Sequence, residues 1–233
     1  MLDVAALDAW YGKARILYGV SLRVDAGECV ALMGRNGAGK STAMKTIMGL
    51  LAKRAGRVTW RGRDISALPS HRIARLGLGW VPEDRRIFTD LTVRENLAIG
   101  RQPPRTGAPT WTEAALFKLF PNLATMPDRP GGRMSGGEQQ MLTIARTLMG
   151  NPHLILLDEP SEGVAPVIVE QMAQMIVALK QEGLSILLSE QNLHFARLVA
   201  DRAVVLEKGQ VRYADSMQAL TADEQVQRTY LSV

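Results

Sequence analysis

A glycine-rich stretch near residue 40 has the residue types and spacing needed to hold a phosphate chain. Residues 34–41 read G-R-N-G-A-G-K-S and fit the pattern G-x-x-x-x-G-K-S/T. Glycines let successive backbone N–H groups converge on an anion at a helix N-terminus, with an apolar run before the loop and a helical pattern after it. The expected nucleotide contacts here are Gly34, Arg35, Asn36, Gly37, Ala38, Gly39, Lys40, Ser41 and Thr42. An incidental lysine on a tight glycine turn is the alternative, and this context argues against it.

Within this stretch three side chains have distinct expected roles. Lys40 supplies positive charge for the β- and γ-phosphates, and the Ser41 hydroxyl can ligate Mg²⁺. Thr42 is placed to help hold the α-phosphate. The sequence therefore predicts a nucleotide site.

A pair of carboxylates follows the apolar run at residues 154–157. Uniform apolarity predicts a strand buried on both faces, as in a parallel sheet, and the run ends in Asp158 and Glu159. Strand alternation points the two acids to opposite sides. Asp158 can then act on Mg²⁺, and Glu159 can reach the water that attacks the γ-phosphate. Two acids that merely begin a surface loop are the simpler alternative.

A third stretch, S-G-G-E-Q at residues 135–139, precedes a helical pattern. Ser135 and Glu138 have the spacing of a capping box, so the stretch could be only a well-capped helix start. Gly136 and Gly137 go beyond what a cap needs, because they leave backbone N–H groups open to an anion.

Near the end of the chain, L-L-S-E-Q-N-L-H-F at residues 187–195 joins a strand-like run to polar side chains. Ligands of open α/β sheets bind outside the carboxyl ends of the strands. Gln191 lies at that end and its amide can donate to phosphate. Asn192 can cap the next helix, which puts His194 in its first turn as a surface or packing residue.

Composition indicates the class of protein whose fold positions these residues. The 233 residues are 46% hydrophobic and 22% charged, which suits one α/β domain. No apolar run approaches the roughly 20 residues of a membrane span, and no secretory signal is visible. The single cysteine, Cys29, lies in an apolar run and fits a reducing cytosol as a small core residue. A net charge of +5 leaves nucleic acid open as a partner, but the arginines are scattered, which favours a solvated face.

The order of elements supports a parallel core sheet. Strands are predicted at residues 4–10 and 20–24, and apolar strands at 154–158 and 185–189 flank a helical stretch at 166–182, which implies parallel strands with helical crossovers. A hairpin is expected over residues 203–212, with its turn at Lys208-Gly209. Residues 90–150, rich in helical pattern, Pro and Gly, are predicted to form a helical subdomain inserted into a single domain spanning 1–233.

The phosphate loop, S-G-G-E-Q and L-I-L-L-D-E-P, in this order, resemble the Walker A, signature and Walker B motifs of an ABC-type ATPase. The resemblance covers essentially the whole chain. It implies a P-loop NTPase fold of the α/β class, with a mainly parallel core sheet, an N-terminal antiparallel β subdomain and an inserted helical subdomain. It also implies an ATPase that uses ATP and Mg²⁺.

The resemblance assigns further residues. Ser135, Gly137 and Glu138 would contact the ATP bound to a second ATPase subunit in a head-to-tail dimer, and Tyr11 would stack on adenine. Residues 161–166 would form the D-loop, although Glu162-Gly163 departs from its commonest form.

Two further departures point to a subclass. The usual glutamine is replaced by Glu83, which can still ligate Mg²⁺ with Arg85 or Arg86 to offset its charge, and the usual switch histidine is replaced by Gln191. P-E-x-R-x-x-F together with E-Q-N resembles the ATPase subunits of branched-chain amino acid importers, whose relatives carry other small organic solutes.

This resemblance implies partners and a location. The expected partners are two membrane-spanning permease subunits, a second ABC ATPase subunit in a homo- or heterodimer and, indirectly, a periplasmic solute-binding protein, with no nucleic acid. The expected location is the cytoplasmic face of the inner membrane, where the chain would be peripheral. Two alternatives stay open: a soluble ABC-type ATPase acting on nucleic acid, and a weakly hydrolysing regulatory subunit that lacks the switch histidine.

Overall fold

The N-terminal sheet is wholly antiparallel and lies against the core through one apolar face. A computed structural model describes residues 1–231 of the chain. The strands of this sheet are β1 (Leu2–Tyr11), β2 (Ala14–Val24), β4 (Arg54–Trp60) and β5 (Arg63–Asp64), in the spatial order β2-β1-β4-β5. Burial along β1 and β2 largely alternates, as expected for a sheet with one covered face.

One strand of this sheet is longer than predicted. The second strand was expected at residues 20–24, but it starts at Ala14, which pairs with Tyr11 across a tight turn. Register shifts interrupt the pairing of β1 with β2, and Gly19 has a left-handed φ of 66°. These irregularities break the two-residue period, so the sequence pattern marks only the last part of the strand.

The second sheet has six strands and forms the centre of the molecule. Its strands are β3 (Cys29–Met33), β6 (Leu78–Val81), β7 (Leu154–Asp158), β8 (Ser185–Glu190), β9 (Arg202–Glu207) and β10 (Gln210–Ser216), in the spatial order β10-β9-β3-β8-β7-β6. All neighbours pair in parallel except β10, the antiparallel edge strand. The predicted hairpin and mainly parallel sheet are therefore confirmed.

Three central strands, β3, β7 and β8, are buried along their whole length. Helices and the N-terminal sheet cover both faces, which explains why the sequences of these strands are largely apolar. Cys29 is fully buried in β3, and burial raises the pKa of its thiol to about 12. Because the strands are parallel, their carboxyl ends meet at one edge, where the phosphate loop and the two acids emerge.

Ten helices and two short helical turns connect or follow the strands of residues 1–231. They are α1 (Lys40–Ile47), α2 (Ser70–Arg75), α3 (Val93–Gly100), α4 (Glu113–Leu119), α5 (Pro121–Ala124), α6 (Gly136–Leu148), α7 (Pro166–Gln181), α8 (Leu193–Val199), α9 (Met217–Ala222) and α10 (Glu224–Val226), with a 3₁₀ turn at Gly131–Arg133 and a π-helical turn at Gln227–Leu231.

Helices α3 to α6 occupy the interval in which a helical subdomain was predicted. Helix α3 packs on α6, and buried Trp111, Phe120 and Leu123 join the same apolar cluster as Leu142 of α6. This cluster continues into the central sheet through residues such as Leu157, so α6 is anchored on the core.

No helix among residues 1–231 is both long and apolar enough to cross a membrane.

Candidate nucleotide-binding site

The phosphate loop joins β3 to α1 in a conformation that only glycine tolerates at key points. Gly34 has a φ of 148°, and a Cβ added there would lie 2.4 Å from the Leu206 carbonyl oxygen. Gly39 has a φ of 108° and precedes α1 without a side-chain cap. The N–H groups of the first turn of α1 therefore have no side-chain acceptor, which suits an incoming phosphate.

Lys40 lies at the centre of the loop and is 3% exposed. Its Nζ donates to the Gly34 carbonyl oxygen at 2.7 Å and to the Arg35 carbonyl oxygen at 3.2 Å. The same Nζ lies 3.0 Å from Glu159 Oε1. These three acceptors hold the ammonium group inside the loop, where it can meet a phosphate.

Asp158 ends β7 beside the first turn of α1. Its Oδ1 accepts a hydrogen bond from the Ser41 hydroxyl at 2.9 Å and another from the Ser189 hydroxyl at 2.9 Å. Burial raises the pKa of Asp158, and the two hydroxyl donors act against this rise. The structure thus brings together Ser41 and Asp158, whose oxygens are the hard ligands that Mg²⁺ prefers.

The donor set fits a magnesium ion held partly by substrate. Within residues 1–231 no group of three or more His, Cys, Asp or Glu side chains forms a metal site. Mg²⁺ in nucleotide sites usually takes one or two protein ligands and completes its shell with waters and phosphate oxygens. One hydroxyl and one carboxylate agree with that chemistry.

The direction of the Glu159 side chain differs from the prediction for the carboxylate pair. Regular strand geometry ends at Asp158, and Glu159 adopts a left-handed φ of 46° while its N–H donates to the Ser189 carbonyl oxygen at 3.0 Å. The expectation that alternation sends the two acids to opposite sides is therefore wrong. Both carboxylates reach the phosphate loop, Asp158 through Ser41 and Glu159 through Lys40.

The S-G-G-E-Q stretch caps α6 and lies apart from the chain's own phosphate loop. The Ser135 N–H donates to Glu138 Oε2 at 2.7 Å, and the Glu138 N–H donates to Ser135 Oγ at 3.4 Å. The capping box is therefore confirmed. A Cβ on Gly137 would lie 3.1 Å from Ile168 of α7, so that glycine permits close packing.

The remaining predicted residues differ in their exposure to solvent. Tyr11 ends β1 and is 47% exposed, whereas Thr42 is buried in α1. Glu83 is exposed in the loop after β6 and, within residues 1–231, makes no hydrogen bond or ion pair with Ser41 or Asp158.

The end of β8 has the predicted arrangement. Gln191 is exposed immediately after the strand, two residues beyond Ser189. Asn192 caps α8 by accepting from the Phe195 N–H at 3.1 Å, and His194 is exposed on the first turn. The prediction that Asn192 caps this helix is confirmed.

Sequence reasoning missed a buried acid in this region. Glu190 is 2% exposed and accepts hydrogen bonds from the Ser161 N–H at 3.2 Å and the Asn192 N–H at 3.3 Å. The first of these bonds connects residues 161–166, the predicted D-loop, to the end of β8. Burial raises its pKa. A carboxylate directly after the buried run 185–189 was the available signal, much as Asp158 follows the apolar run 154–157.

A second missed acid, Glu162, lies next to Glu159. A hydrogen bond shared with the Glu159 carboxylate, followed by burial and the charge of Glu159, raises the pKa of Glu162 to about 7. Ser189 was also missed, because its role as a donor to Asp158 depends on the pairing of β7 with β8.

A nucleotide-binding loop with a central lysine, followed across a parallel sheet by two carboxylates, defines a P-loop ATPase of the α/β class. Residues 17–162 match the ABC transporter family model. The chain belongs to this family, whose members bind ATP, and it is an ATPase subunit of an ABC transporter.

Individual relatives agree with this assignment over nearly the full length. The high-affinity branched-chain amino acid transport ATP-binding protein BraG of Pseudomonas aeruginosa is 42% identical, with 99% of each chain covered. The lipopolysaccharide export system ATP-binding protein LptB of Haemophilus influenzae is 35% identical over 95% of this chain and 92% of that protein. The crystal structure of an ABC transporter cassette in its ADP conformation has a TM-score of 0.81 at 28% identity, covering 98% of this chain and 97% of that one.

Proposed function

We propose that this ATPase powers the uptake of branched-chain amino acids, or a related small organic solute, through partner membrane subunits. The observation that carries the proposal is the 42% identity to BraG over 99% of both chains. Glu83 and Gln191, at the two positions where the sequence resembles the branched-chain importer subclass, support the same assignment.

Hydrolysis would begin with an exchange of partners at Lys40. The terminal phosphates of ATP take the place of the Glu159 carboxylate beside Nζ, which is 3.0 Å away. Backbone N–H groups of the loop and the first turn of α1 bind the phosphate oxygens. Glu159, released from the ammonium, is then a base within reach of the attacking water: water oxygen bonds to the γ-phosphorus, the bond to ADP breaks and the proton passes to Glu159.

Mg²⁺ would be held by Ser41 and Asp158, with Glu83 as a further ligand. When bound, the ion neutralises charge on the β- and γ-phosphate oxygens. The Ser41–Asp158 hydrogen bond, 2.9 Å long, supports the proposal by keeping both ligands side by side. The exposed side chain of Glu83 is accessible to an ion bound at the edge of the sheet.

Two ATPase subunits would close head to tail around two ATP molecules. Ser135, Gly137 and Glu138 would contact the nucleotide on the other subunit. Ser135 and Glu138 cap α6, and none of the three forms a hydrogen bond with its own phosphate loop. Tyr11 would stack on adenine, for which its 47% exposure leaves one face available. The second subunit is an identical chain or a related ATPase.

A groove between the central domain and the helical segment would receive the membrane subunits. It has a volume of about 650 Å³ and is bordered by half-exposed Leu50, Phe88 and Ile99. Apolar side chains with this exposure suit a partner helix that covers them. We infer two permease subunits, an indirectly coupled periplasmic binding protein and a peripheral location on the cytoplasmic face of the membrane. In this assembly residues 90–150 act as the inserted helical subdomain of a single 1–233 domain.

The experiment measures uptake of radiolabelled leucine in cells that lack this chain. Restoring the wild-type chain should restore uptake, and restoring Glu159→Gln should not. Mass spectrometry of proteins that copurify from native membranes should identify permease subunits and a second ATPase. Leucine uptake that is unaffected by loss of the chain would contradict the assignment to branched-chain amino acids.

The likeness to LptB makes lipopolysaccharide export the second candidate function. The same cells distinguish the two candidates, because loss of an export ATPase would leave leucine uptake normal and would lower the lipopolysaccharide content of the outer membrane.

A further inference from the structure

Arg85 lies between two segments that the proposed dimer would bring to the second nucleotide. A Cβ added to Gly136 would lie 2.5 Å from Arg85 Nη1 and 3.1 Å from its Cζ. A Cβ added to Gly163 would lie 3.9 Å from Arg85 Nη2. The guanidinium therefore rests on the first residue of α6 and faces the D-loop glycine.

The backbone fixes this position. Arg85 and Arg86 both adopt left-handed conformations, with φ values of 62° and 47°. The Thr143 hydroxyl donates to the Arg85 carbonyl oxygen at 2.5 Å, and Arg146 Nη2 donates to the Arg86 carbonyl oxygen at 2.5 Å. The loop after β6 is thus bonded to the second and third turns of α6, and the Arg85 side chain is directed back towards the N-terminus of that helix.

The electrostatics of this position favour an anion as a partner. Among residues 1–231 the Arg85 guanidinium has no hydrogen-bond acceptor and no ion-pair partner, whereas Arg86 bonds to both carboxylate oxygens of Asp84 at 2.9 Å. A cation beside a helix N-terminus is disfavoured by the helix dipole. A phosphate between the guanidinium and the first N–H groups of α6 would pair with the positive charge and accept hydrogen bonds from the N–H groups.

We propose that Arg85 binds the terminal phosphate of the ATP held by the phosphate loop of the second ATPase subunit. This inference rests on the proposed head-to-tail dimer and adds a cation to the proposed contacts of Ser135, Gly137 and Glu138. Arg85 then stabilises the closed, ATP-bound dimer. It contributes nothing to the affinity with which the phosphate loop of the same chain binds ATP.

The test compares Arg85→Ala, Arg85→Lys and the matched control Arg86→Ala. Two quantities are measured: the Kd for ATP of the isolated subunit, and the half-saturating ATP concentration for hydrolysis by the transporter purified with its membrane and ATPase partners. Arg85→Ala should leave the isolated subunit's Kd within about twofold and raise the half-saturating concentration about tenfold or more, as expected for loss of a charge-assisted hydrogen bond.

The other variants separate a phosphate contact from a structural role. Arg85→Lys should recover part of the loss, and Arg86→Ala should leave the half-saturating concentration unchanged, because its side chain is turned to Asp84 and the Trp80 ring.

Equal effects of Arg85→Ala and Arg86→Ala, no effect of Arg85→Ala, or a lower half-saturating concentration in Arg85→Ala would each overturn the inference. Absence of ATP hydrolysis by the wild-type complex would instead refute the proposed function itself.

Discussion

Replacing Glu159 with glutamine should separate ATP binding from ATP hydrolysis. The side chain has two roles in this site: it is the acceptor 3.0 Å from Lys40 Nζ, and it is the proposed base for the attacking water. The Lys40 and Glu159 side chains are 2% and 10% exposed, so solvent screens their pairing little. Glu159→Gln keeps the shape and one oxygen acceptor but removes the charge and the ability to take a proton.

The geometry sets the size of the binding effect. Two unit charges 3.0 Å apart attract by roughly 5 kcal/mol at an effective dielectric of about 20. The net free energy of a charge-assisted hydrogen bond is smaller, about 1.5–3 kcal/mol, because both groups lose hydration. ATP must displace this contact, so its removal should tighten ATP binding by about ten- to a hundredfold.

Loss of the base sets the size of the kinetic effect. A positioned general base contributes about 10²–10⁴-fold to a rate, so kcat should fall by at least about 10²-fold while affinity rises. Glu113→Gln is the control, since it removes a carboxylate that pairs with Arg94 and has no contact with Lys40.

Isothermal titration with ATP and steady-state phosphate release measure the two effects. A variant that binds ATP no more tightly than wild type would refute the competition at Lys40, and a kcat within tenfold of wild type would refute the role as base.

Three further predictions concern the neighbouring residues. Lys40→Ala should weaken ATP binding by about tenfold or more, since it removes the cation at the centre of the loop; normal affinity for labelled ATP would contradict this role. Gln191→Ala should slow hydrolysis by the assembled transporter more than His194→Ala, because only Gln191 lies at the strand end; the reverse order would mean that the wrong residue is assigned. Glu162 should make folding stability pH-dependent, because its folded pKa of about 7 lies above its ordinary value of 4.5. The protonated carboxyl stabilises the fold fully below about pH 4.5, and this contribution is lost as pH rises to about 7. Thermal unfolding from pH 5 to 8 should show this loss of stability in wild type and not in Glu162→Gln. Identical dependence of the unfolding temperature on pH in the two proteins would contradict the hydrogen bond between Glu162 and Glu159.

The sequence predicts the chemistry of the site well where one segment contains all the necessary information. The phosphate loop lies within eight residues, and its glycines are needed for the loop's own backbone, as Gly34 illustrates. Asp158 and Glu159 stand out in the sequence because they directly follow an apolar run that predicts a buried strand. Both signals depend on local structure alone.

Prediction failed where packing between distant segments decides the geometry. The left-handed φ of Glu159, with its N–H bonded to Ser189, depends on the adjacent strand β8, so alternation could not be extended past Asp158. The position of Arg85 depends on Thr143, 58 residues later, and no local pattern records that contact.

The most direct test of the whole account measures ATP hydrolysis by the chain assembled with its copurifying membrane subunits in lipid vesicles. Binding protein loaded with leucine should stimulate hydrolysis by the wild-type assembly, and the Glu159→Gln assembly should show no stimulation while still binding ATP. Stimulation that persists in the Glu159→Gln assembly would contradict the account. So would a wild-type assembly whose rate of ATP hydrolysis is unchanged by the loaded binding protein.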